Sequence, residues 1–340
     1  MSNSPARKPM VVFRLSHMGD VALTTGVLSH WNETRCDTFV FITRAGNVPL
    51  LENHPAITRI IALEDNDLKT GSWLRKARAI AKEYADHTLI DLHSTLRSRI
   101  LSFFWRGEIH RYHKFSIERR LYDRTHKDKY KAILEATNVT QRYAMAYDEN
   151  PPQQGQLVPR IYLKQEEKAR AAERLDGLKS DKPLVALHPY ATHSSKEWAR
   201  QHWTALIELL DNAGMDWIII GRDIEPVFSD DDRDFTNTTN LRDTCALLAK
   251  ADLLITGDSG PMHLAGGVDT PVLTMFGPTV KAWGFFPAGQ HDRVLERDLP
   301  CRPCSLHGGK GCDKMVECLS GITPNEVLQN AQQLIASIRG

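Results

Sequence analysis

The chain has no apolar run of about 18 residues, which excludes a membrane-spanning helix of the usual kind. It has no dominant charge either: 43 Lys and Arg stand against 42 Asp and Glu, so no global field steers the whole chain toward nucleic acid or membrane. Cysteine is scarce, and six thiols in 340 residues argue against a secreted disulfide scaffold. No low-complexity tract or short internal repeat occurs. No Gly-x-Gly-x-x-Gly follows the first apolar run, which leaves an NAD-dependent dehydrogenase poorly supported. That run, Met10 to Phe13, meets Arg14 and is too short for a signal-peptide core. The polar stretch from Met1 to Pro9 reads as a disordered tail. A cytoplasmic location is the expectation.

What is present describes an ordinary globular protein, 41% hydrophobic and 25% charged. Its length exceeds the size of one hydrophobic core, so two domains are expected. Short apolar runs alternate with helical patterns: Val11–Leu15, then a helix from Val21; Phe39–Thr43; Ile57–Leu63, then a helix from Ser72 to Tyr84; Thr88–Leu92. A polar, proline-containing stretch from 148 to 160 reads as a linker or edge loop. The alternation then restarts with a helix from Gln165 and strands at Leu184–His188, Asp216–Ile220, Leu253–Thr256 and Val272–Phe276. A last helix from Asn325 to Ile338 is a candidate to pack back on the first domain. Such a pattern predicts an α/β protein with parallel sheets covered by helices. The expected domains are residues 1–160 and 161–340, with ligands bound outside the carboxyl ends of the strands.

Three strand-to-helix junctions carry chemistry. After Leu253–Thr256 come Gly257, Asp258, Ser259 and Gly260, and a helix starts near Pro261. Free backbone N–H groups and the positive end of a helix dipole make this an anion site suited to a diphosphate. Asp258 can cap backbone donors or accept a sugar or ribose hydroxyl, and His263 can donate to a phosphate oxygen. After Leu184–His188, the loop supplies hydroxyls from Thr192, Ser194 and Ser195 and a point charge from Lys196. After the first strand, Asp20 is either a general base toward a substrate hydroxyl or the N-cap of a helix opening at Val21.

These residues resemble a known family. Arg14-Leu-Ser-His-Met-Gly-Asp20, the Lys196-Glu-Trp198 block, and Gly257-Asp-Ser-Gly-Pro-Met-His-Leu-Ala265 with Thr270-Pro-Val272 and Phe276-Gly-Pro-Thr279 are similar to the blocks of glycosyltransferase family 9, the lipopolysaccharide heptosyltransferases. The resemblance implies the GT-B architecture: two Rossmann-like domains with parallel sheets facing a central cleft, the first binding acceptor and the second the nucleotide-sugar donor. It implies Asp20 as catalytic base, with Lys196 meeting the charge of the leaving ADP. Thr192 and Lys196 become donor-phosphate contacts, and Asp258, Ser259, Gly260 and His263 sugar and diphosphate contacts. Where some members carry two adjacent threonines, this chain reads Ala191-Thr192. The implied activity is inverting transfer of heptose from ADP-heptose to a hydroxyl of a lipopolysaccharide inner-core or related acceptor, without a catalytic cofactor. The alternatives are a GT-B transferase or epimerase using another nucleotide sugar, and a non-catalytic glycolipid- or nucleotide-binding module.

From Arg97 to Lys131 there are eleven Lys and Arg against four Asp and Glu, interleaved with aromatics such as Phe103, Phe104 and Trp105. An acidic glycolipid, an anionic membrane face or nucleic acid fits this composition, as does a solvated helical pair; no nucleic-acid motif accompanies it. Ser94, Arg97 and Arg99 follow the strand ending at Leu92 and are candidate acceptor contacts. Peripheral contact with the inner membrane and a monomeric state complete the expectation. Within the loop 300–320, Cys301, Cys304, Cys312 and Cys318 form a cluster able to hold one structural zinc or iron, or a set of reduced thiols stabilising a loop.

Overall fold

The computed structural model describes residues 8–178, 181–228, 231–309, 312 and 316–339. The tail read as disordered lies, through residue 7, outside them. The chain opens with β1 (Met10–Phe13), α1 (Met18–Arg35), β2 (Phe39–Arg44) and β3 (Ile57–Leu63). It continues with α2 (Thr70–Glu83), β4 (Leu89–Asp91), α3 (Leu96–Phe104) and β5 (Ile109–Arg111). Three short helices follow: α4 (Ser116–Thr125), α5 (Asp128–Glu135) and α6 (Val139–Ala144). After α7 (Gln165–Arg174) come β6 (Leu184–His188), α8 (Arg200–Asn212), β7 (Asp216–Ile219), α9 (Leu241–Leu248) and β8 (Leu253–Gly257). The chain ends with α10 (Gly260–Gly267), β9 (Val272–Phe276), β10 (Arg293–Glu296), α11 (Glu317–Ser320) and α12 (Pro324–Arg339).

These elements form two compact units. The first holds residues up to Phe115 and Val139–Tyr162, around a sheet in the order β3-β2-β1-β4-β5. Every pairing in it is parallel. Strands buried on both faces read as continuous apolar runs, and Val11, Val12, Phe13, Phe39, Phe41 and Ile42 are fully enclosed. The order reverses between β1 and β4, the position where open α/β sheets leave a crevice at their carboxyl ends. The stretch read as a linker or edge loop lies within this unit and packs against α1. Leu157 is buried, Arg160 N–H donates to Thr25 Oγ1 (2.8 Å), and Gly26 lies so close that a Cβ there would stand 2.2 Å from Val158 O.

The second unit holds residues 116–138 and 163 onward, around a parallel sheet in the order β10-β9-β8-β6-β7. Its reversal falls between β6 and β8. Residues 116–138 belong here because Tyr122 packs edge-on against Trp283 (5.6 Å between ring centroids) and Arg119 Nη2 donates to Trp283 O (2.9 Å). Buried Arg242 on α9 holds Glu167 on α7 (Nε to Oε1, 2.7 Å), and α12 packs on α8.

Candidate active site

The first cluster stands at the β1–β4 reversal. Where β1 ends, the Arg14 side chain stays buried and its Nη1 donates to Leu92 O (2.7 Å), tying it to the end of β4. Its Nη2 contacts Asp20 Oδ2 at 2.5 Å. Asp20 Oδ2 also accepts the His17 N–H (3.1 Å), and Oδ1 accepts the Tyr143 hydroxyl of α6 (2.8 Å). The expected N-cap role for Asp20 is corrected here. The helix opens at Met18, three residues of chain having already turned in before Val21, and His17 holds the extended cap position. Asp20 therefore sits in the first turn and satisfies the cap backbone from inside. Burial opposes its charge, but Arg14, the Tyr143 hydroxyl and the His17 N–H outweigh burial and hold the carboxyl below its ordinary range. Asp20 is thus an anion aimed by three donors, and Oδ1, with one bond made, keeps a lone pair for a substrate hydroxyl.

Around it, Tyr112 lies edge-on to Tyr143 (4.9 Å), and burial with the charges of Arg14 and Lys114 pushes His93 down to about 3. Ser94, a candidate acceptor contact, stands in the turn after β4 with φ 50°, its N–H held by buried Asp91 Oδ1 (2.7 Å). Arg97 and Arg99 project from the exposed side of α3. A cavity of about 470 Å³ also opens at the carboxyl ends of β1, β2 and β3, lined by His17, Arg44, Asn47, Glu64 and Asp65 among others. Sequence reasoning passed over this cavity, although each of those residues ends or follows a predicted strand.

The second cluster stands at the β6–β8 reversal. β8 runs into Gly257 and α10 starts at Gly260, with Pro261 in its first turn. The N-cap, Ser259, makes no capping bond to that turn. Its hydroxyl instead lies 3.2 Å from His188 Nδ1 and 3.0 Å from Thr256 Oγ1, joining the ends of β6 and β8. Burial pushes His188 down to about 4, so the ring is neutral at pH 7 and acts as a hydrogen-bonding strut. The first N–H groups of α10 thus have no side-chain cap from Ser259, the arrangement an oxyanion requires. Lys196, at the end of a short 3-10 turn, donates from Nζ to Asp258 Oδ2 (2.6 Å), and Thr279 Oγ1 donates to the same oxygen (2.6 Å). Lys196 and Asp258, predicted as separate contacts, are one ion pair. Thr192 is exposed in the loop between β6 and that turn, Gly260 opens α10, and His263 is buried on it near Phe285 (6.4 Å).

A family model of glycosyltransferase family 9 (heptosyltransferase) matches residues 73–309. The chain belongs to glycosyltransferase family 9. Among its family 9 relatives, lipooligosaccharide heptosyltransferase 2 of Haemophilus influenzae is 24% identical over 319 residues, covering 85% of this chain and 88% of the relative. Lipopolysaccharide heptosyltransferase 2 of Salmonella typhimurium is 25% identical over 318 residues, with 85% and 87% covered. Among solved structures, the chain is similar to a family 9 glycosyl transferase of Veillonella parvula (TM-score 0.74, 19% identity, 97% of each chain). It is also similar to the Escherichia coli ADP-heptose lipopolysaccharide heptosyltransferase II (TM-score 0.73, 19% identity, 98% of this chain and 100% of that one). The GT-B fold expected from the motifs is therefore the fold found, and the protein is a glycosyltransferase.

Among the described residues, no group of three or more His, Cys, Asp or Glu side chains is placed to hold a metal ion, so the structural zinc or iron read from the four clustered cysteines has no support there. Cys304 Sγ donates to Cys301 O (3.1 Å), Cys318 is buried beside Gly277, and Cys312 is exposed. Burial and the neighbouring thiols push Cys304 up to about 11, so it stays protonated. The loop has a structural task of its own. Arg302 Nη2 donates to Thr279 O (2.9 Å), Cys304 N–H donates to Pro278 O (3.0 Å), and the Ser195 hydroxyl donates to Gly308 O, lacing residues 302–308 onto the Lys196 cluster. Thr279 and Gly308 were not singled out as site residues from sequence, and Ser195 only as one of the hydroxyls of its loop. Thr279 lay inside a quoted motif, but nothing along the chain marks Gly308.

Proposed function

We propose that this family 9 glycosyltransferase is an inverting heptosyltransferase that moves heptose from ADP-heptose to a hydroxyl of a lipopolysaccharide inner-core acceptor. The observation that carries this reading is the first turn of α10, left uncapped by Ser259 and standing beside the Lys196–Asp258 pair: a site built for a sugar diphosphate. Its names come from relatives called lipopolysaccharide and lipooligosaccharide heptosyltransferases. The α10 N–H groups and Lys196 take the diphosphate, with Thr192 and His263 adding donors. Asp258, relieved of Lys196, accepts a hydroxyl of the sugar or ribose. Asp20 receives the proton of the acceptor hydroxyl as that oxygen attacks the anomeric carbon; the bond to the β-phosphate oxygen breaks and ADP leaves. Preorganised donors of this kind contribute roughly 3 kcal/mol each to lowering a barrier. Ser94, Arg97 and Arg99 contact the acceptor, and the cavity beside His17 and Arg44 takes part of its glycan. In this reading the enzyme works as a monomer, in peripheral contact with the cytoplasmic face of the inner membrane.

The test is incubation with ADP-heptose and deep-rough lipopolysaccharide, followed by mass measurement of the product. A gain of one heptose is expected. Transfer from another nucleotide sugar with none from ADP-heptose overturns the heptose assignment, and release of free sugar without an acceptor marks an epimerase.

A further inference from the structure

The helices α4 and α5 come early in the sequence but belong to the second unit, where they pack on the 3-10 turn Lys281–Trp283 that follows β9. Trp283 is buried, yet it stands apart from the core cluster that holds Trp198, Trp203 and Trp217. Three contacts from α4 hold it. Tyr122 meets its ring edge-on (5.6 Å), Arg119 Nη2 donates to its carbonyl oxygen (2.9 Å), and the Arg119 guanidinium lies 5.9 Å from its ring centroid. The same guanidinium lies 5.6 Å from the ring centroid of Phe285. A cation is attracted to ring faces over such distances, and the planar guanidinium fork fixes direction as well as distance.

What Arg119 holds leads to the diphosphate cluster by two routes. On the first, Trp283 Nε1 donates to Ser305 O (3.2 Å), and Ser305 Oγ accepts the Gly308 N–H (2.5 Å). Gly308 O accepts from the hydroxyl of Ser195, whose chain neighbour Lys196 donates to Asp258 Oδ2 (2.6 Å). Trp283, Ser305, Gly308 and Ser195 are all buried, so water does not replace a broken link at low cost. On the second, Phe285 lies 6.4 Å ring to ring from His263 on α10. Both routes lie within one unit, and both end on groups that the proposed function gives to the diphosphate.

We propose that Arg119 is a positioning residue for the diphosphate site: it touches no substrate, but by clamping Trp283 and Phe285 it fixes the segment 305–308 and, through it, Lys196, with His263 held from the other side. The inference rests on the reading of this cluster as the diphosphate site and adds to it a residue that none of the family motifs contains.

The test is titration of the full chain with ADP and with adenosine, which carries the same base and ribose without phosphate. R119Q should weaken ADP binding about fivefold or more and leave adenosine within twofold of wild type. R120Q removes the same charge from an exposed position on the same helix and should bind both ligands as the wild type does. W283F keeps a ring for Arg119 and Tyr122 but deletes the donor to Ser305 O; it should repeat the selective loss of ADP, and it decides by the same readouts if R119Q does not fold. Hydrogen exchange of residues 302–309 is followed in the same proteins without ligand, and the Gly308 amide should exchange about fivefold or more faster in R119Q and W283F but not in R120Q. ADP affinity of R119Q within twofold of wild type overturns the proposal. So do parallel losses of ADP and adenosine, which mark general loosening, and an equal loss in R120Q, which marks charge alone. If the wild type binds no ADP, the diphosphate reading fails by itself, and the exchange of Gly308 still decides whether Arg119 holds this segment: faster exchange in R119Q keeps the clamp, and unchanged exchange ends it.

Discussion

Gly308 tests whether the cysteine-bearing loop sets the geometry of Lys196. Its φ is +82°, in the left-handed region that costs other residues about 1 kcal/mol or more. A Cβ on it would stand 2.7 Å from Lys196 Cε, 2.9 Å from Cγ and 3.1 Å from Cδ. The ammonium end alone cannot absorb that overlap, because the middle of the stem is struck as well. The glycine is also pinned from both sides, its N–H donating to Ser305 Oγ (2.5 Å) and its carbonyl accepting from Ser195. In Gly308→Ala, therefore, either the loop lifts or Lys196 swings off Asp258. A charge-assisted hydrogen bond is worth about 1.5–3 kcal/mol, so losing the aligned ammonium should weaken ADP binding about tenfold to a hundredfold. Gly309 is the control. Its nearest neighbour to an added Cβ is His193 Cε1 at 3.7 Å, an ordinary contact, and its φ is not positive. Calorimetric titration with ADP, alongside thermal melts, decides the matter. The expected pattern is a weakened G308A, a wild-type G309A and melting temperatures within a few degrees of each other. ADP affinity of G308A within twofold of wild type would refute the reasoning, as would equal losses in both variants.

Four further outcomes follow. Asp20→Asn should abolish transfer while ADP-heptose still binds, because the change removes the proton acceptor and leaves the Lys196 cluster intact; retained turnover by product mass would remove Asp20 from the mechanism. Tyr143→Phe deletes one of the donors that hold the Asp20 carboxyl low, so its pKa rises and the acidic limb of the kcat–pH profile should move up by about one pH unit; an unmoved limb would show that Tyr143 only fills space. Gly26→Ala should lose about 2 kcal/mol or more in urea unfolding, since the new Cβ meets the backbone oxygen of Val158, which has no rotamer to yield. His54, His93 and His188 are pushed down to about 4, 3 and 4 by burial, so between pH 6.5 and 4 the unfolded chain takes protons that the folded chain refuses. Stability should therefore fall as pH falls, by about 2 kcal/mol per histidine from pH 7 to 5, and His188→Gln should flatten that slope.

The sequence exposed the strands that are buried on both faces. Leu184–His188 and Val272–Phe276 are legible with the bounds the structure gives, because a central parallel strand is buried on both faces and carries apolar residues at nearly every position. The edge strands Ile109–Arg111 and Arg293–Glu296 escaped, since each is short, ends in charge and has only one neighbour. The same limit applied to the clusters. Asp20, Lys196 and Asp258 were visible from their place after a strand. Their pairings were not: Tyr143 is 123 positions from Asp20, Lys196 is 62 from Asp258, and Ser195 is 113 from Gly308. No local pattern encodes such pairs; the fold alone brings them together.

The two clusters use one device in opposite senses. Each stands where a sheet reverses its strand order, and in each a strand runs into the amino end of a helix. At α1 the helix supplies its own anion: Asp20, in the first turn, takes the His17 N–H and the Arg14 guanidinium, so the positive end of the helix is already answered. At α10 the N-cap hydroxyl turns away to His188 and Thr256, and the nearest carboxylate, Asp258, is held by Lys196 and Thr279. That end is left to an external anion. A filled helix end holds a carboxylate in place to meet a neutral hydroxyl, and an open one receives a charged diphosphate. In the proposed function, this difference in capping, more than the shared strand–helix plan, separates acceptor chemistry at Asp20 from donor chemistry at Lys196. An aspartate introduced at Ser259 should reverse the second case: by filling the open end of α10 it should abolish ADP binding, whereas Ser259→Ala should leave most of it. Equal ADP affinity in both variants would show that the uncapped turn is not where the diphosphate sits.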